Sequence, residues 1–320
     1  MVWETQPIAC SLMLMMCGLG SPKVCTDDRV VPVRKSRCRV TVNVTSNKGN
    51  LMSSVDLVIV DLDDTLWKWC QTWHAGYLSF NNAVSAVSGA DAREAWVHMY
   101  GRHEGRVIET PPDPVDLAAT LDVSINDAVT YHAFAVSESR KSRDKALELF
   151  DGVVDTLTEL QQRGIPVIAH TDAPYTAAGQ RMYISGIDGL IHSVHAAPLH
   201  HVFSEVDDFA RTTVVKYDVD WRPKPDPRVL NDIARSHGTH PSNIIYVGDS
   251  LRRDMSMARS AGMRPVWARY GNDYSGRDEV IATLAEVHRL RPRHASDYVT
   301  VTDTPEFDTV DTFSGILDLI

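Results

Sequence analysis

Short apolar runs alternate with longer amphipathic stretches over most of the chain. The first run, Val-Asp-Leu-Val-Ile-Val at 55–60, is rich in β-branched residues and predicts a buried parallel strand. Comparable runs at 165–169, 244–247 and 266–268 predict three further strands. Because helical patterns separate these runs, we expect an α/β fold with a doubly wound parallel sheet.

A long helical stretch separates the first strand from the second. Apolar residues recur at helical spacing between about 74 and 148, and three prolines interrupt the pattern near its middle. We therefore expect an inserted α-helical domain at 72–150. The remaining parts, 55–71 and 151–320, are expected to form a Rossmann-like core.

The first 54 residues follow neither pattern. Their apolar run at 8–19 is too short to cross a bilayer, and an acidic residue, Glu4, precedes it, unlike a secretory signal. We expect 1–54 to be a disordered extension or an artefact of the assigned start, with Met52 as the true first residue. No membrane attachment is expected.

The net charge and the cysteine content argue against some binding partners and some cellular compartments. The chain has a formal net charge of −10, and residues 1–54 contain seven basic and three acidic residues, so 55–320 carry −14. Such an acidic body argues against nucleic acid as a partner, because a phosphate backbone needs a basic surface. The five cysteines form no CxxC pair, which argues against zinc and favours a reduced, cytoplasmic protein.

Polar residues follow three of the predicted strands directly. The segments are Asp-Leu-Asp at 61–63, His-Thr-Asp at 170–172 and Gly-Asp-Ser at 248–250. The carboxyl ends of parallel strands meet at one edge of a sheet, where ligands bind. Clustered carboxylates repel one another and need a cation, and hard oxygen ligands without thiolates favour Mg²⁺.

Four motifs in this order resemble those of the haloacid dehalogenase superfamily, in its phosphatase branch with a helical cap between motifs one and two. Asp-Leu-Asp-Asp-Thr at 61–65 resembles DxDx(T/V), and Thr171 ends the second strand. Lys224 precedes a proline turn, and 248–254 matches GDSxxxD. The resemblance covers roughly residues 55–275 and implies a capped phosphatase.

The resemblance also implies a catalytic role for four residues. Asp61 would be the nucleophile that forms an aspartyl-phosphate, and Asp63 would be the acid/base. Thr171 would hold phosphoryl oxygens, and Lys224 would offset negative charge. Asp64 is expected to be only a turn or first-helix residue.

A magnesium site is implied by the same motifs. Its ligands would be the carboxylates of Asp61 and Asp249 and the carbonyl of Asp63, with Asp254 as a ligand or just behind one. An Asp at position 63 favours phosphomonoester hydrolysis or phosphomutase chemistry over dehalogenation. The expected partner is therefore a small phosphorylated metabolite, and the substrate's identity and the oligomeric state stay open.

Three other functions are weighed against this one. A phosphomutase would return the phosphoryl group from Asp61 to a second hydroxyl, and only its products would differ. A non-catalytic binding relative is less favoured because every expected catalytic residue is present. A response-regulator-like module also surrounds magnesium with Asp and Lys, but the DxD spacing argues against it.

Several features depart from the family pattern or lie outside it. Asp172 stands where an Asn is often found, which adds negative charge beside the phosphate site. Four histidines raise the question of a zinc site, although a solvated loop is favoured: His192, His195, His200, His201. Aromatic residues after the nucleophile could line a pocket, but packing is favoured: Trp67, Trp69, Trp73. The insert offers candidate substrate contacts: Arg93, His98, Arg102, His103, Arg106.

Overall fold

A seven-stranded sheet, parallel throughout, forms the centre of the structure. The structure is a computed structural model that describes residues 54–102, 109–198, 213–217, 221–289 and 307–320, without the side chains of 214–217. The strands are β1 Leu57–Val60, β2 Val167–Pro174, β3 Ser193–Ala197, β4 Val214–Tyr217, β5 Ile244–Gly248, β6 Arg264–Ala268 and β7 Asp308–Val310.

Nine α-helices are found within the described residues. They are α1 Trp69–Ser88, α2 Arg93–Arg102, α3 Pro114–Leu121, α4 Ile125–Ala146, α5 Val153–Gln162, α6 Tyr175–Ser185, α7 Arg228–His237, α8 Ser256–Ser260 and α9 Asp278–Val287. A π-helical turn, Leu251–Met255, leads into α8. None of the helices in the described ranges is long and apolar enough to cross a membrane.

Strand order places β1 at the middle of the sheet. The order is β4-β3-β2-β1-β5-β6-β7, so the chain builds outward on one side of β1 and then returns to build on the other. Val60 at the end of β1 pairs with Ala169 of β2 and with Val247 of β5. The residues that follow these three strands therefore meet at the point where the topology switches direction.

Both faces of the sheet are buried, because successive side chains of a strand point to opposite faces. Val58 and Val60 belong to one apolar cluster, which includes residues of α1, α5 and α6. Leu57 and Ile59 belong to a second cluster, which includes residues of α7 and α8. Helices thus cover both faces, and the predicted doubly wound α/β fold is confirmed.

Four helices, α1 to α4, lie between β1 and β2. The longest two, α1 and α4, pack along one another, and an aromatic group fills the interior where Trp73 stacks on Tyr77 and meets Trp96 edge-on. The start of α4 is capped by the hydroxyl of Ser124, which accepts the N–H of Asp127. All the described residues belong to one compact unit.

The boundaries differ from the predicted ones at several points. All four predicted strands are present, but β2 continues to Pro174, so Thr171 lies within the strand rather than after it. Three short strands towards the edges, β3, β4 and β7, had no clear apolar run to reveal them. The expectation for 1–54 lies outside the described residues, apart from Ser54.

Candidate active site

A buried lysine bridges two aspartates at the carboxyl edge of the sheet. The Lys224 Nζ lies 2.6 Å from Oδ1 of Asp61 and 2.8 Å from Oδ1 of Asp254. The Lys224 side chain is only 3% exposed, and opposing carboxylates raise its pKa despite burial, which acts to lower it. The ammonium group is therefore charged and committed to these two carboxylates.

Asp254 is held by the core through both of its oxygens. The Tyr246 hydroxyl donates to Oδ1 at 3.1 Å, and the backbone N–H of Ser250 donates to Oδ2 at 3.0 Å. Tyr246 is itself fully buried in β5, and its ring lies below the Lys224 ammonium, 5.7 Å from Nζ. This arrangement fixes Lys224 before any ligand arrives.

A third carboxylate joins the first two. Oxygens of Asp61, Asp249 and Asp254 all lie within 4.8 Å of one another. Burial raises the pKa of Asp249 well above its usual value, and the charges of Asp254 and Asp61 raise it further. Lys224 neutralises only part of this charge, so an oxygen-only site with an excess of negative charge fits a hard divalent cation such as Mg²⁺.

The two aspartates of the first motif have different surroundings. Burial raises the pKa of Asp61 to about 6, while Lys224 acts to lower it. Asp63 instead accepts a hydrogen bond at 2.6 Å from Nε1 of Trp67 and one at 2.8 Å from Nη1 of Arg181. Burial raises the pKa of Asp63 to about 7; Arg181 opposes this, whereas Glu109 and Asp61 add to it.

Arg181 connects Asp63 to the helical insert. Its other terminal nitrogen, Nη2, donates to Oε2 of Glu109 at 2.6 Å, and Trp69 Nε1 donates to Oε1 of the same carboxylate at 2.8 Å. Arg181 belongs to α6, whereas Glu109 lies between α2 and α3. An ion-paired chain therefore runs from the insert to the first motif.

Sequence reasoning did not single out Arg181 or Glu109. Of the residues it offered in the insert, Arg93 pairs with Asp91 at the surface and Arg102 with Asp116. His103 and Arg106 lie outside the described residues, and His98 has an exposed side chain. Arg181 carries no motif signal, because nothing near it in sequence distinguishes a buried arginine from an exposed one.

Thr171 and Asp172 lie on β2, which pairs with β1, the strand that precedes Asp61. Thr171 is buried, and its hydroxyl accepts the N–H of Ala173 at 3.0 Å. Asp172 forms an ion pair with Arg253 and accepts the backbone N–H of Lys224 at 3.2 Å. The negative charge of Asp172 is thus balanced by Arg253. The Asp172 carboxylate also holds the backbone of Lys224 in place.

The turn after β1 is supported by a distant segment. Asp64 has a left-handed conformation with φ of 53°, and its carboxylate accepts the N–H and the thiol of Cys70. Asp64 is therefore a turn residue, as expected, and its buried carboxylate also binds Cys70 in the first turn of α1. The Tyr270 hydroxyl donates to the carbonyl of Thr65 at 2.7 Å, and a Cβ on Gly271 would lie 1.9 Å from the Asp64 carbonyl oxygen.

The three tryptophans that follow Asp61 in the sequence differ in their contacts. Trp73 lies in the aromatic interior, as expected, but the indole N–H groups of Trp67 and Trp69 bind the carboxylates of Asp63 and Glu109. Among the histidines, the exposed His192 has a ring contact with His237 and His195 lies in β3. His200 and His201 lie outside the described residues.

Comparison with known proteins identifies the family. The model of the family described as haloacid dehalogenase-like hydrolase matches residues 55–262, and a second, HAD-hydrolase-like model matches 221–308. The chain belongs to the haloacid dehalogenase-like hydrolases. The resemblance that the motifs carry is confirmed, and with it the prediction of an enzyme of this hydrolase family.

Relatives and solved structures agree with this assignment. A glyceraldehyde 3-phosphate phosphatase of Methanopyrus kandleri is 27% identical over 61% of this chain and 68% of its own length. A phosphoglycolate phosphatase of Escherichia coli is 30% identical over 39% of this chain, and the match spans 42% of that relative. A 2-haloacid dehalogenase structure from Pseudomonas syringae superposes with a TM-score of 0.52 at 15% identity, covering 83% of this chain and 97% of its own, and shows the shared fold.

Proposed function

We propose that the chain is a magnesium-dependent phosphomonoester hydrolase that acts through an aspartyl-phosphate on Asp61. The observation that carries the proposal is the position of Lys224 between Asp61 and Asp254, with Asp249 within the same 4.8 Å cluster. The matched relatives named as phosphatases, for glyceraldehyde 3-phosphate and phosphoglycolate, support a small phosphorylated metabolite as the substrate class.

The first step transfers the phosphoryl group to the protein. A carboxylate oxygen of Asp61 forms a bond to phosphorus, and the bond between phosphorus and the alcohol oxygen breaks. Asp63 gives its proton to the departing alcohol oxygen, a task suited to a carboxyl group whose pKa is raised to about 7. Lys224 and Thr171 hold the phosphoryl oxygens and offset their charge.

The second step releases phosphate. Asp63, now ionised, takes a proton from a water molecule as that water attacks the phosphorus of the aspartyl-phosphate. The bond between phosphorus and the Asp61 oxygen breaks, and the carboxylate of Asp61 and the protonated Asp63 are restored. Arg181 and Trp67 hold the Asp63 carboxyl group in place throughout, since both donate to its Oδ1.

Magnesium would be held by the carboxylates of Asp61 and Asp249 and by the carbonyl of Asp63, with Asp254 as a further ligand or just behind one. When bound, Mg²⁺ would neutralise the excess carboxylate charge and withdraw charge from the phosphoryl oxygens. The oxygen-only donor set supports this choice of metal.

The helical insert, 72–150, is proposed to act as a cap that shields the reacting groups from water. The ion pair between Glu109 and Arg181 supports this role, because it joins the insert to the residue that holds Asp63.

A phosphatase assay with a generic aryl phosphate tests the proposal. Hydrolysis should require Mg²⁺, cease with EDTA and be inhibited by Ca²⁺, whose larger and looser ligand shell misplaces the nucleophile. Full activity in chelator would contradict the metal assignment. Incubation with a sugar phosphate, followed by product analysis, separates a hydrolase from a phosphomutase, because only the former releases inorganic phosphate.

A further inference from the structure

The peptide group between Asp249 and Ser250 is held at both of its ends by side chains. Its carbonyl oxygen accepts the indole N–H of Trp267 at 2.7 Å and also the side-chain amide N–H of Asn272. Its N–H donates to Oδ2 of Asp254 at 3.0 Å. Both lone pairs of the carbonyl oxygen thus have a donor, and the plane of this peptide group is fixed.

The two donors to this carbonyl belong to one short segment, residues 267–272, which we call the support segment. Trp267 lies in β6 beside the end of β5, and a 3₁₀ turn, Arg269–Asn272, follows β6. The segment also lies against the side chain of Asp249, since a Cβ on Gly271 would be 2.9 Å from the Asp249 Cβ. The support segment therefore restrains both the carbonyl group and the side chain of Asp249.

This restraint opposes the repulsion among the carboxylates of the site. Oxygens of Asp61, Asp249 and Asp254 lie within 4.8 Å of one another. Lys224 pairs with Asp61 and Asp254, and no ion pair within the described ranges includes Asp249. Repulsion therefore acts to turn the Asp249 side chain away from the other two, and the fixed backbone resists that displacement.

We infer that Asn272 and Trp267 are positioning residues for the magnesium site, where they hold Asp249 in the orientation that the metal ion requires. This role rests on the proposed metal site. A ligand that is already in place need not be ordered when the ion binds, so the affinity for the ion is higher. Mg²⁺ should depend on the role more than Ca²⁺, because Mg²⁺ demands nearly ideal octahedral geometry and Ca²⁺ accepts a looser shell.

Binding of Mg²⁺ and of Ca²⁺ to the full chain, freed of metal and without substrate, tests this role by calorimetry. Asn272→Ala removes one donor to the Asp249 carbonyl, and Trp267→Phe removes the other while keeping an aromatic ring in the core. Each should weaken Mg²⁺ binding about three- to tenfold, the range expected for one lost hydrogen bond, and Ca²⁺ binding by less. The double variant should bind Mg²⁺ more weakly than either single one.

Asn243→Ala is the matched control. Asn243 is half-buried like Asn272 and lies just before β5, at the end of the strand opposite to Asp249. Its side-chain amide donates to Oδ2 of Asp56 at 2.8 Å, so the substitution removes a comparable hydrogen bond far from the carboxylates. Both metal affinities should stay unchanged. Urea denaturation in EDTA verifies that each variant is folded, and if one of the two test variants is not, the other tests the same carbonyl group.

Three outcomes would overturn the positioning role. They are an unchanged Mg²⁺ affinity in both test variants, an equal loss of Mg²⁺ and Ca²⁺ affinity, and a loss that Asn243→Ala reproduces. Failure of the proposed function is distinguishable from these. If the unsubstituted protein binds no Mg²⁺, the metal site and the positioning role fall together. If the variants bind metal as expected but no phosphate ester is hydrolysed, the positioning role stands and the hydrolase proposal falls.

Discussion

Asp61 and Asp63 lie two residues apart, yet the protein balances their charges from different regions. The cation beside Asp61 is Lys224, which the core also holds through Asp254. The cation beside Asp63 is Arg181, which is held in turn by Glu109 of the helical insert. Burial is the largest cause of the raised pKa of both groups, about 6 for Asp61 and about 7 for Asp63.

In the proposed mechanism, the two aspartates of this turn need different protonation states, and their different surroundings suit that need. A nucleophile must be ionised, and the buried ammonium group opposes the effect of burial on Asp61. An acid/base must exchange a proton near neutral pH, which a pKa near 7 allows. Substitutions on the core side should therefore affect the nucleophile and stability, whereas substitutions on the insert side should affect proton transfer.

The largest effect is expected from Asp61→Asn. The substitution keeps the shape but removes the nucleophile, so phosphate release should fall to background, a loss of at least about 10³-fold. Fast-quench mass spectrometry of the unsubstituted protein should find the phosphoryl label on Asp61. Asp155→Asn, an exposed change at the start of α5, is the control and should keep full activity. Appreciable turnover by Asp61→Asn, or a label on a histidine, would disprove this mechanism.

Lys224→Met should have the largest effect on stability. It leaves Asp61 and Asp254 buried without their counterion, so the free energy of unfolding in EDTA should fall by about 3–5 kcal/mol. Urea denaturation measures this change, and added Mg²⁺ should recover part of it.

Lys68→Met is the control for this experiment. Lys68 pairs with Glu148, whose side chain is 64% exposed, so its loss should lower the free energy of unfolding by less than about 1 kcal/mol. Equal effects of the two substitutions would show that the buried ion pair does not stabilise the core.

Glu109→Gln should shift the pH dependence of the reaction. Glu109 raises the pKa of Asp63, so removing its charge lowers that pKa. Because Asp63 must be protonated in the first step, kcat/KM for an alkyl phosphate declines as the pH rises through this pKa. The decline should move to lower pH by up to about one unit in the variant.

Glu138→Gln, at a partly exposed position of α4 where the side chain pairs with Lys141, is the control and should leave the pH profile in place. If the alkaline limb of the pH profile does not shift in Glu109→Gln, then the insert does not influence proton transfer by Asp63.

The smallest effect is expected from Asp172→Asn, which removes the negative charge and keeps the shape of the side chain. An Asn oxygen can still accept the backbone N–H of Lys224, and the lost ion pair involves Arg253, which is 35% exposed. The free energy of unfolding should change by less than about 1 kcal/mol and kcat/KM by less than about threefold. A tenfold loss would mean that the charge of Asp172 itself takes part in binding.

Local sequence patterns predict the surroundings of Asp61 well. The strands that end just before Asp61 and Asp249, β1 and β5, are buried on both faces and so appear in the sequence as continuous apolar runs. The family resemblance then points to Lys224 and Asp254, and in the structure the ammonium group of Lys224 contacts both Asp61 and Asp254. The edge strands β4 and β7 lack such runs, because a short strand at an edge needs fewer apolar residues, and β3, between β4 and β2, is short and interrupted by His195.

The surroundings of Asp63 are formed by contacts between segments that lie far apart in the sequence. Arg181 lies 118 residues from Asp63 and 72 from Glu109, and neither Arg181 nor Glu109 is marked by a motif. Whether an arginine on an amphipathic helix is buried depends on the elements packed against it, which no local pattern records.

The support of the nucleophile turn by Tyr270 and Gly271 has a consequence for when the protein becomes competent. The hydroxyl of Tyr270 reaches the carbonyl of Thr65 across 205 positions of the chain, and Gly271 lies against the Asp64 carbonyl. During synthesis, β1 and the insert leave the ribosome long before this segment does. The turn that carries Asp61 therefore gains its final support only after β6 has joined the sheet, so this early part of the core is completed by a segment that is made much later.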